Sequence, residues 1–299
     1  MLESKTPQKR FWEPGESTVE RTPNQLVISH EQPGIMPMPH WHAQVEINFV
    51  FRGSLDYQMH GHRVSLQAGD LALFWGGLPH QVTDTSVDPL FIAIHLPLVH
   101  FFRLRLDTDT MRKLTHGATL VTRTPDGTDF GNFNRWSDFM RAPEAHKRDH
   151  AIDELLLRLE RISFEPFDLV EPSGLVVPES EAGETTSYAT ISNILTYIAE
   201  NFRYDIDSAD IAVSADIHPK YAMSVFKRST GMTLSEYIAL MRVSYAQAIL
   251  MQDDVNILEV AMDSGFGSLS GFNAAFRRVA GMSPTDFRRE LRVRSTLPH

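Results

Sequence analysis

The chain reads as an α+β protein: a small β-barrel or sandwich with a helical extension, a linker, then an all-α domain holding two helix-turn-helix units. Three observations predict this. Short apolar runs separated by glycine turns fill residues 26–96, a single amphipathic stripe follows near residue 150, and the last hundred residues repeat themselves. Phe226-Lys227-Arg228 with Gly231-Met232-Thr233 recurs fifty residues later as Phe276-Arg277-Arg278 with Gly281-Met282-Ser283, and Tyr237 returns as Phe287. A fixed-period echo marks a duplicated supersecondary unit, and two copies make a paired device where a solenoid needs about three or more.

Residues 1–25 are polar and proline-bearing and read as a loosely ordered arm. From Leu26 to Leu96, Val45–Phe51, Arg63–Gln67, Leu71–Trp75 and Phe91–Ile94 read as strands, with Gly53, Gly61, Gly69 and Gly76-Gly77 at the turns. Ile152, Leu155, Leu156, Leu159 and Ile162 then fall at helical spacing on a helix starting near Pro143-Glu144, with Arg158 among its polar positions. That stripe suits packing on the chain's own barrel, a seam with a second copy, or both. The sensor half is therefore residues 26–164. Residues 165–186 carry six acidic residues, no Lys or Arg, and three prolines, which reads as an extended acidic linker.

Residues 187–299 form the second domain, with helices expected at Ser187–Phe202, Ser208–Ala215, Pro219–Ser229, Leu234–Gln252, Ile257–Ser264, Ser268–Val279 and Pro284–Val293. Ser208 is a candidate cap for the first unit, and Pro219 suits the first position of its second helix. Tyr221, Val225 and Phe226 are expected to face inward there, with Gly231 as a left-handed stop. In the second unit Gly265-Phe266 forms the turn, Ser268 caps, and Gly281 closes the helix. Phe266, Phe272 and Phe276 read as core. The helix Leu234–Gln252 joins the units and, at about 1.5 Å per residue, spans roughly 28 Å. Successive major-groove faces lie about 34 Å apart, so the rod can hold two reading helices on one face of DNA.

Composition sets limits. With 299 residues and 42% apolar content there is room for about two domains. The absence of cysteine excludes disulfides and thiolate chemistry. No leader-like segment or 18-residue apolar run is present, so a cytoplasmic protein without membrane insertion is expected. Net charge is −10, yet residues 187–299 hold 11 basic and 12 acidic residues. Arg277, Arg278, Arg288, Arg289, Arg292 and Arg294 concentrate positive charge near the end, as phosphate contact requires.

The pattern Ala246…Leu250, Ile257…Val260-Ala261, Gly265-Phe266, Phe272, Phe276-Arg277-Arg278, Gly281-Met282-Ser283-Pro284, Phe287-Arg288 resembles the DNA-binding domain of AraC/XylS-type transcription regulators. The resemblance implies a bacterial activator whose partners are operator or promoter double-stranded DNA, RNA polymerase and a second copy in a homodimer. By position, Lys220, Met223 and Ser224 on the first recognition helix, and Ser268, Ser270, Gly271, Asn273 and Ala274 on the second, would face the bases. Several are small where family members carry arginine or glutamine, so bidentate base readout is sparse. Lys227, Arg228, Arg277 and Arg278 suit phosphates, which position without specifying.

In the first half, Gly34-x5-His40-x-His42-x3-Glu46-x6-Gly53, followed by Gly69 and His80, resembles the first cupin motif; the second motif is only partly present. His40, His42 and Glu46 stand at even steps and, on one strand, would share a face. Two imidazoles, a carboxylate and a later histidine can hold a divalent metal, line a ligand pocket, or simply build the barrel. The pocket reading is adopted, without metal or cofactor: His40, His42, Glu46, Trp75 and His80 as effector-binding residues. An aromatic face beside carboxylate and imidazole suits a sugar ring. His40-Trp41-His42-Ala43-Gln44-Val45-Glu46, Leu73-Phe74-Trp75…Pro79-His80, Thr115-His116-Gly117 and Ala151-Ile152-Asp153-Glu154 extend the likeness to family members governing α-galactoside use, implying a small sugar inducer such as melibiose. The rival class is an enzyme, a metal-dependent cupin with an appended helical domain.

Overall fold

The computed structural model describes residues 26–31, 35–36, 39–40, 42–59, 62–123, 127–172, 182–230, 232–252 and 255–296. The expected arm 1–25, Gly34, Trp41, Gly61 and Gly231 lie outside the described residues.

Two sheets build the first half. One has six strands in the order β1-β7-β2-β5-β8-β9: β1 (Val27–Glu31), β2 (Val45–Arg52), β5 (Asp70–Trp75), β7 (Leu90–Leu96), β8 (Thr119–Arg123) and β9 (Phe167–Val170). The other, β4-β3-β6, comprises β3 (Ser54–Met59), β4 (His62–Gln67) and β6 (Gln81–Thr85). All named pairings are antiparallel. The larger sheet is a middle layer. Val50, Ala72, Phe74, Phe91 and Ala93 pack toward Leu55, Tyr57, Val64 and Leu66 of the small sheet. Their neighbours Val45, Ile47, Phe49, Leu71, Leu73, Trp75, Ile92 and Ile94 pack on the other face against helices. Both faces being covered, β2 and β5 are apolar with little alternation. The outer strand β4 alternates cleanly, with Val64 and Leu66 in and Arg63, Ser65 and Gln67 out.

The covering helices are α1 (Leu98–Phe101), α2 (Thr108–Thr115), α3 (Thr128–Arg141) and α4 (Ala145–Arg161). The predicted stripe on α4 is spent inside the chain: Leu155, Leu156, Leu159 and Ile162 are buried and Ile152 is half-buried. Arg158, expected on the polar side, is buried too. Its guanidinium grips Asp129 on α3 bidentately at 2.8 Å and lies 3.2 Å from Glu165. A buried cation persists only when so paired.

The stretch expected as linker is therefore structured at its start. Glu165 folds back onto Arg158, Thr122 donates to Pro166 O at 2.9 Å, and Phe167–Val170 pairs with β8. Residues 173–181 lie outside the description, and the next helix begins earlier than expected.

The second half is helical: α5 (Ala182–Asn201), α6 (Ser208–Ser214), α7 (Pro219–Thr230), α8 (Leu234–Gln252), α9 (Ile257–Asp263), α10 (Leu269–Ala280) and α11 (Pro284–Thr296). Asp207, not Ser208, caps α6, its carboxylate accepting from Ala209 N and Asp210 N in a capping box. The duplication reaches the caps: Thr233 and Glu236 exchange hydrogen bonds at the start of α8, and Ser283 and Asp286 do the same at α11. The first turn bends through Asp216 in the left-handed region and the longer second one through Gly265. A Cβ at Gly265 would meet the Arg203 backbone at 2.7 Å, so glycine is required there. Gly281, at φ 76°, ends α10.

The halves pack together. Phe102, just after α1, contacts Phe202 at 5.6 Å and Tyr245 of α8 at 5.5 Å, and Arg203 lies 4.7 Å over the Tyr245 ring. The His116 side chain, just after α2, contacts the Glu200 side chain of α5. One apolar core runs from the large sheet to α8, while the second unit builds its own around Phe272 and Phe276.

Candidate functional site: a histidine–carboxylate cluster and two exposed helices

Glu46 is the second residue of β2 and points between the sheets. Antiparallel register sets His95 of β7 and Phe74 of β5 directly beside it. His40 does not lie on β2 as spacing implied. It forms a single bridge with His80, and His42 sits in the turn entering β2, tied to Gly76 O at 2.8 Å. The groups converge nonetheless. His42 Nε2 is 2.9 Å and His80 Nε2 3.2 Å from Glu46 Oε2, with His95 Nε2 at 3.8 Å. His40 and His80 rings lie 4.2 Å apart. Asn48, two residues on and so on the same face, donates to Glu46 Oε1 at 3.0 Å and to Tyr57 Oη at 2.9 Å.

Burial alone would raise the Glu46 carboxyl, but hydrogen bonds from His42 and His80 and the nearby imidazoles hold it well below the usual carboxylate range. Desolvation pushes His40 down, with His80 adding to it, and pushes His42 down against the opposing pull of Glu46. His80 is more constrained. Its Nδ1 faces Leu78 O at 2.8 Å, and a carbonyl only accepts, so Nδ1 donates.

Among the described residues, one donor atom each from His40, His42, Glu46 and His80 lie within 4.8 Å of one another. The set suits a divalent ion with hard-to-borderline character, for which these four side chains would be the ligands. Bound there, such an ion would polarise an oxygen of a ligand. The same groups equally offer donors and acceptors to hydroxyls.

Trp75, expected in this site, is not in the cluster. It is opposite Val45 in the ladder and so points to the helix side of the sheet. Phe49 likewise stacks on Phe133 at 4.6 Å in the helix-side core. Among the described residues, the aromatic groups at the cluster are Phe74, 5.1 Å from His80, and Tyr57. Sequence reading missed His95, Asn48 and Tyr57. Only Asn48 carried a signal, its even step from Glu46. Gly76-Gly77, read as a turn, also make room for rings: a Cβ at Gly76 would strike His42 at 2.0 Å, and one at Gly77 the Trp75 indole at 2.4 Å.

In the helical half, Ala222, Val225 and Phe226 form the buried face of α7, leaving Lys220, Met223, Ser224, Lys227 and Arg228 exposed. Tyr221 is 45% exposed, contrary to expectation, and joins that outer face. On α10, Phe272, Ala275 and Phe276 are buried; Ser270, Gly271, Ala274, Arg277 and Arg278 are exposed and Asn273 is half-buried. Ser268 accepts from Gly271 N at 3.1 Å as the helix cap. The basic density at the end is thinner than the sequence suggested. Arg288 donates to Val255 O at 2.8 Å, Arg289 pairs with Asp286 at 2.6 Å, and the side chains of Arg292 and Arg294 lie outside the description. Among the described residues no helix is long and apolar enough to cross a membrane.

Residues 211–290 match the family described as helix-turn-helix domain, and residues 27–95 match the cupin domain family. The chain is 32% identical over 266 residues to the melibiose operon regulatory protein of Escherichia coli (strain K12), covering 88% of this chain and 87% of that one. It is 26% identical over 111 residues to the Msm operon regulatory protein of Streptococcus mutans, covering 37% of this chain and 40% of that protein. It is 27% identical over 158 residues to the HTH-type transcriptional activator RhaS of Salmonella schwarzengrund, covering 53% and 51%.

Proposed function

The chain belongs to the AraC/XylS-type family of transcription regulators that includes the melibiose operon regulatory protein, and from that premise we propose how its two halves divide the work. It is a DNA-binding, sugar-responsive activator. The helical half, from α5 onward, reads operator DNA with the exposed faces of α7 and α10. Lys220, Met223 and Ser224 face one groove segment and Ser270, Gly271, Asn273 and Ala274 the next, while Lys227, Arg228, Arg277 and Arg278 hold phosphates. The supporting observation is that both outer faces are solvent-exposed on units that share caps, closing aromatics and a fifty-residue period.

The β half, up to Val170, senses a small sugar at His40, His42, Glu46, His80 and His95, with an α-galactoside such as melibiose as inducer. The protein acts in the cytoplasm as a homodimer, contacts RNA polymerase, and performs no catalytic step. Because the α4 stripe is used internally, a second copy would meet the exposed Leu157 and Phe164 instead. Footprinting the full chain on promoters beside its own gene tests the reading. Two protected segments about one helical turn apart are expected, with occupancy changing when melibiose is added. A single short segment, or protection indifferent to sugar, would overturn it. Catalytic turnover of a sugar with stoichiometric metal would favour the enzyme alternative.

A further inference from the structure

The two helix-turn-helix units bury separate apolar cores, the first continuous with the β half and the second around Phe272 and Phe276. Both lean on α8, where Leu234, Leu240 and Met241 serve one core and Val243, Ala246 and Leu250 the other. A shared rod fixes how far apart the units stand. Apolar contact is non-directional, so their rotation about that rod needs a directional hold away from its axis. The loop after α5 supplies one. Phe202, Arg203 and Tyr204 belong to the first unit, since Asp207, three residues on, caps α6.

Two arginines fasten this loop to the second unit. Arg242, half-buried midway along α8, donates from Nε to Phe202 O at 2.5 Å and from Nη2 to Tyr204 O at 2.7 Å. These carbonyls stand just past the end of α5, at the negative pole of that helix, where a cation is favoured. The same guanidinium lies 5.8 Å from the Phe266 ring, in the turn between α9 and α10. Arg203 reaches out from the loop itself. Its Nε donates to Asp263 O at 2.9 Å, and its guanidinium lies 4.7 Å over the Tyr245 ring of α8. Gly265 closes against the Arg203 backbone, which leaves no space for a Cβ. The turn so held leads within three residues to Ser268, the cap of α10. Where Asp263–Phe266 goes, the start of the second recognition helix follows.

Neither arginine lies on α7 or α10. We propose that Arg203 and Arg242 are positioning residues for operator recognition. Their clasp fixes the rotation of α10 relative to α7, so that the protein selects the spacing between two groove segments as well as their bases. One base pair inserted between the segments moves the second by about 3.4 Å and turns it by about 34–36°. A pinned pair of helices then meets only one segment fully, whereas an unpinned pair follows the shift. This rests on the two-segment reading above.

The test is fluorescence anisotropy of the full chain on duplexes cut from its footprinted promoter: native spacing, one base pair inserted between the protected segments, and each segment alone. The parent should bind the inserted duplex at least about tenfold more weakly than the native one. Arg203→Ala, at an exposed side chain, should shrink that ratio to about threefold or less, with single-segment binding within about twofold of the parent's. Arg242→Lys keeps the charge and the stem but loses the two-pronged donor. It should shrink the ratio too, and it covers the case in which Arg203→Ala does not fold. A parental ratio in the folded variants, with every duplex weakened alike, would make these residues phosphate contacts or general props and overturn the clasp. A parent that protects two segments yet binds both spacings equally would also overturn it, and leave the two-segment reading standing. Protection of a single segment by the parent would overturn both.

Discussion

Tyr237 meets Phe226 edge to face, with ring centres 5.5 Å apart, and fifty residues on Phe287 meets Phe276 in the same way at 5.6 Å. Each pair ties a recognition helix to the start of the helix that follows. Phe276 is fully buried in the second unit's own core. Phe276→Ala should cost about 3–5 kcal/mol and, because that core is separate, remove the footprint segment assigned to α10 while keeping the one assigned to α7. Simultaneous loss of both segments would show that the units do not hold independently.

Arg277 projects from the outer face of α10. If it neutralises a phosphate, Arg277→Ala weakens binding to all sequences alike and lowers the slope of log affinity against log salt by about one. Fluorescence anisotropy across a salt series measures this. An unaltered slope takes Arg277 off the backbone.

His42 Nε2 meets Glu46 Oε2 at 2.9 Å inside the cluster. His42→Ala should drive the induction ratio of a promoter fusion toward one, since the proposed sugar site then loses an imidazole and Glu46 loses a partner. Wild-type induction in this variant would remove the cluster from the effector site.

Arg158 and Asp129 are almost completely buried. Arg158→Ala takes the bidentate partner from the Asp129 carboxylate, leaving Arg161 at 3.9 Å, and should cost about 3 kcal/mol, read as an earlier urea midpoint for the β half. Arg158→Met together with Asp129→Leu should recover most of the loss, because no lone charge stays buried. A single variant as stable as the parent contradicts the pairing.

Burial, with Arg103 nearby, pushes His100 on α1 down to about 4 from 6.5. The unfolded chain therefore takes up a proton near pH 6.5 that the folded chain refuses. Stability is complete above that value and falls as pH drops through 6.5 toward 4. His40 and His42, also held low, act in the same sense. The melting midpoint should decline between about pH 7.5 and 5, and His100→Leu should lessen the decline. A flat profile would count against all three histidines being neutral in the fold.

Much of this was readable from residues near one another in the chain. Helix α8 runs over the expected Leu234–Gln252, and Ser268, Pro219 and Gly281 hold the cap, start and stop positions foreseen for them. His40, His42, Glu46 and His80 do converge, although by way of a bridge and a turn instead of one continuous strand. Readings failed where a second element decided the outcome. Trp75 was grouped with Glu46, but strand alternation sends the two to opposite faces of a sheet covered on both sides. Arg158 counted as polar surface until Asp129 and Glu165 enclosed it. Residues 167–170 looked like linker because an edge strand of four residues has no period to detect.

What the sequence determined by itself was the local chemistry: the duplicated unit, its caps and turns, the amphipathic helices and the ligand-like spacing of the histidines. Those depend on hydrogen bonds and periodicities that span a few residues. Only the tertiary structure decided which faces were covered, which charges were enclosed, and that His95 of β7 stands beside Glu46 of β2. Such contacts follow from how whole layers pack, and neither partner's neighbours in the chain encode them.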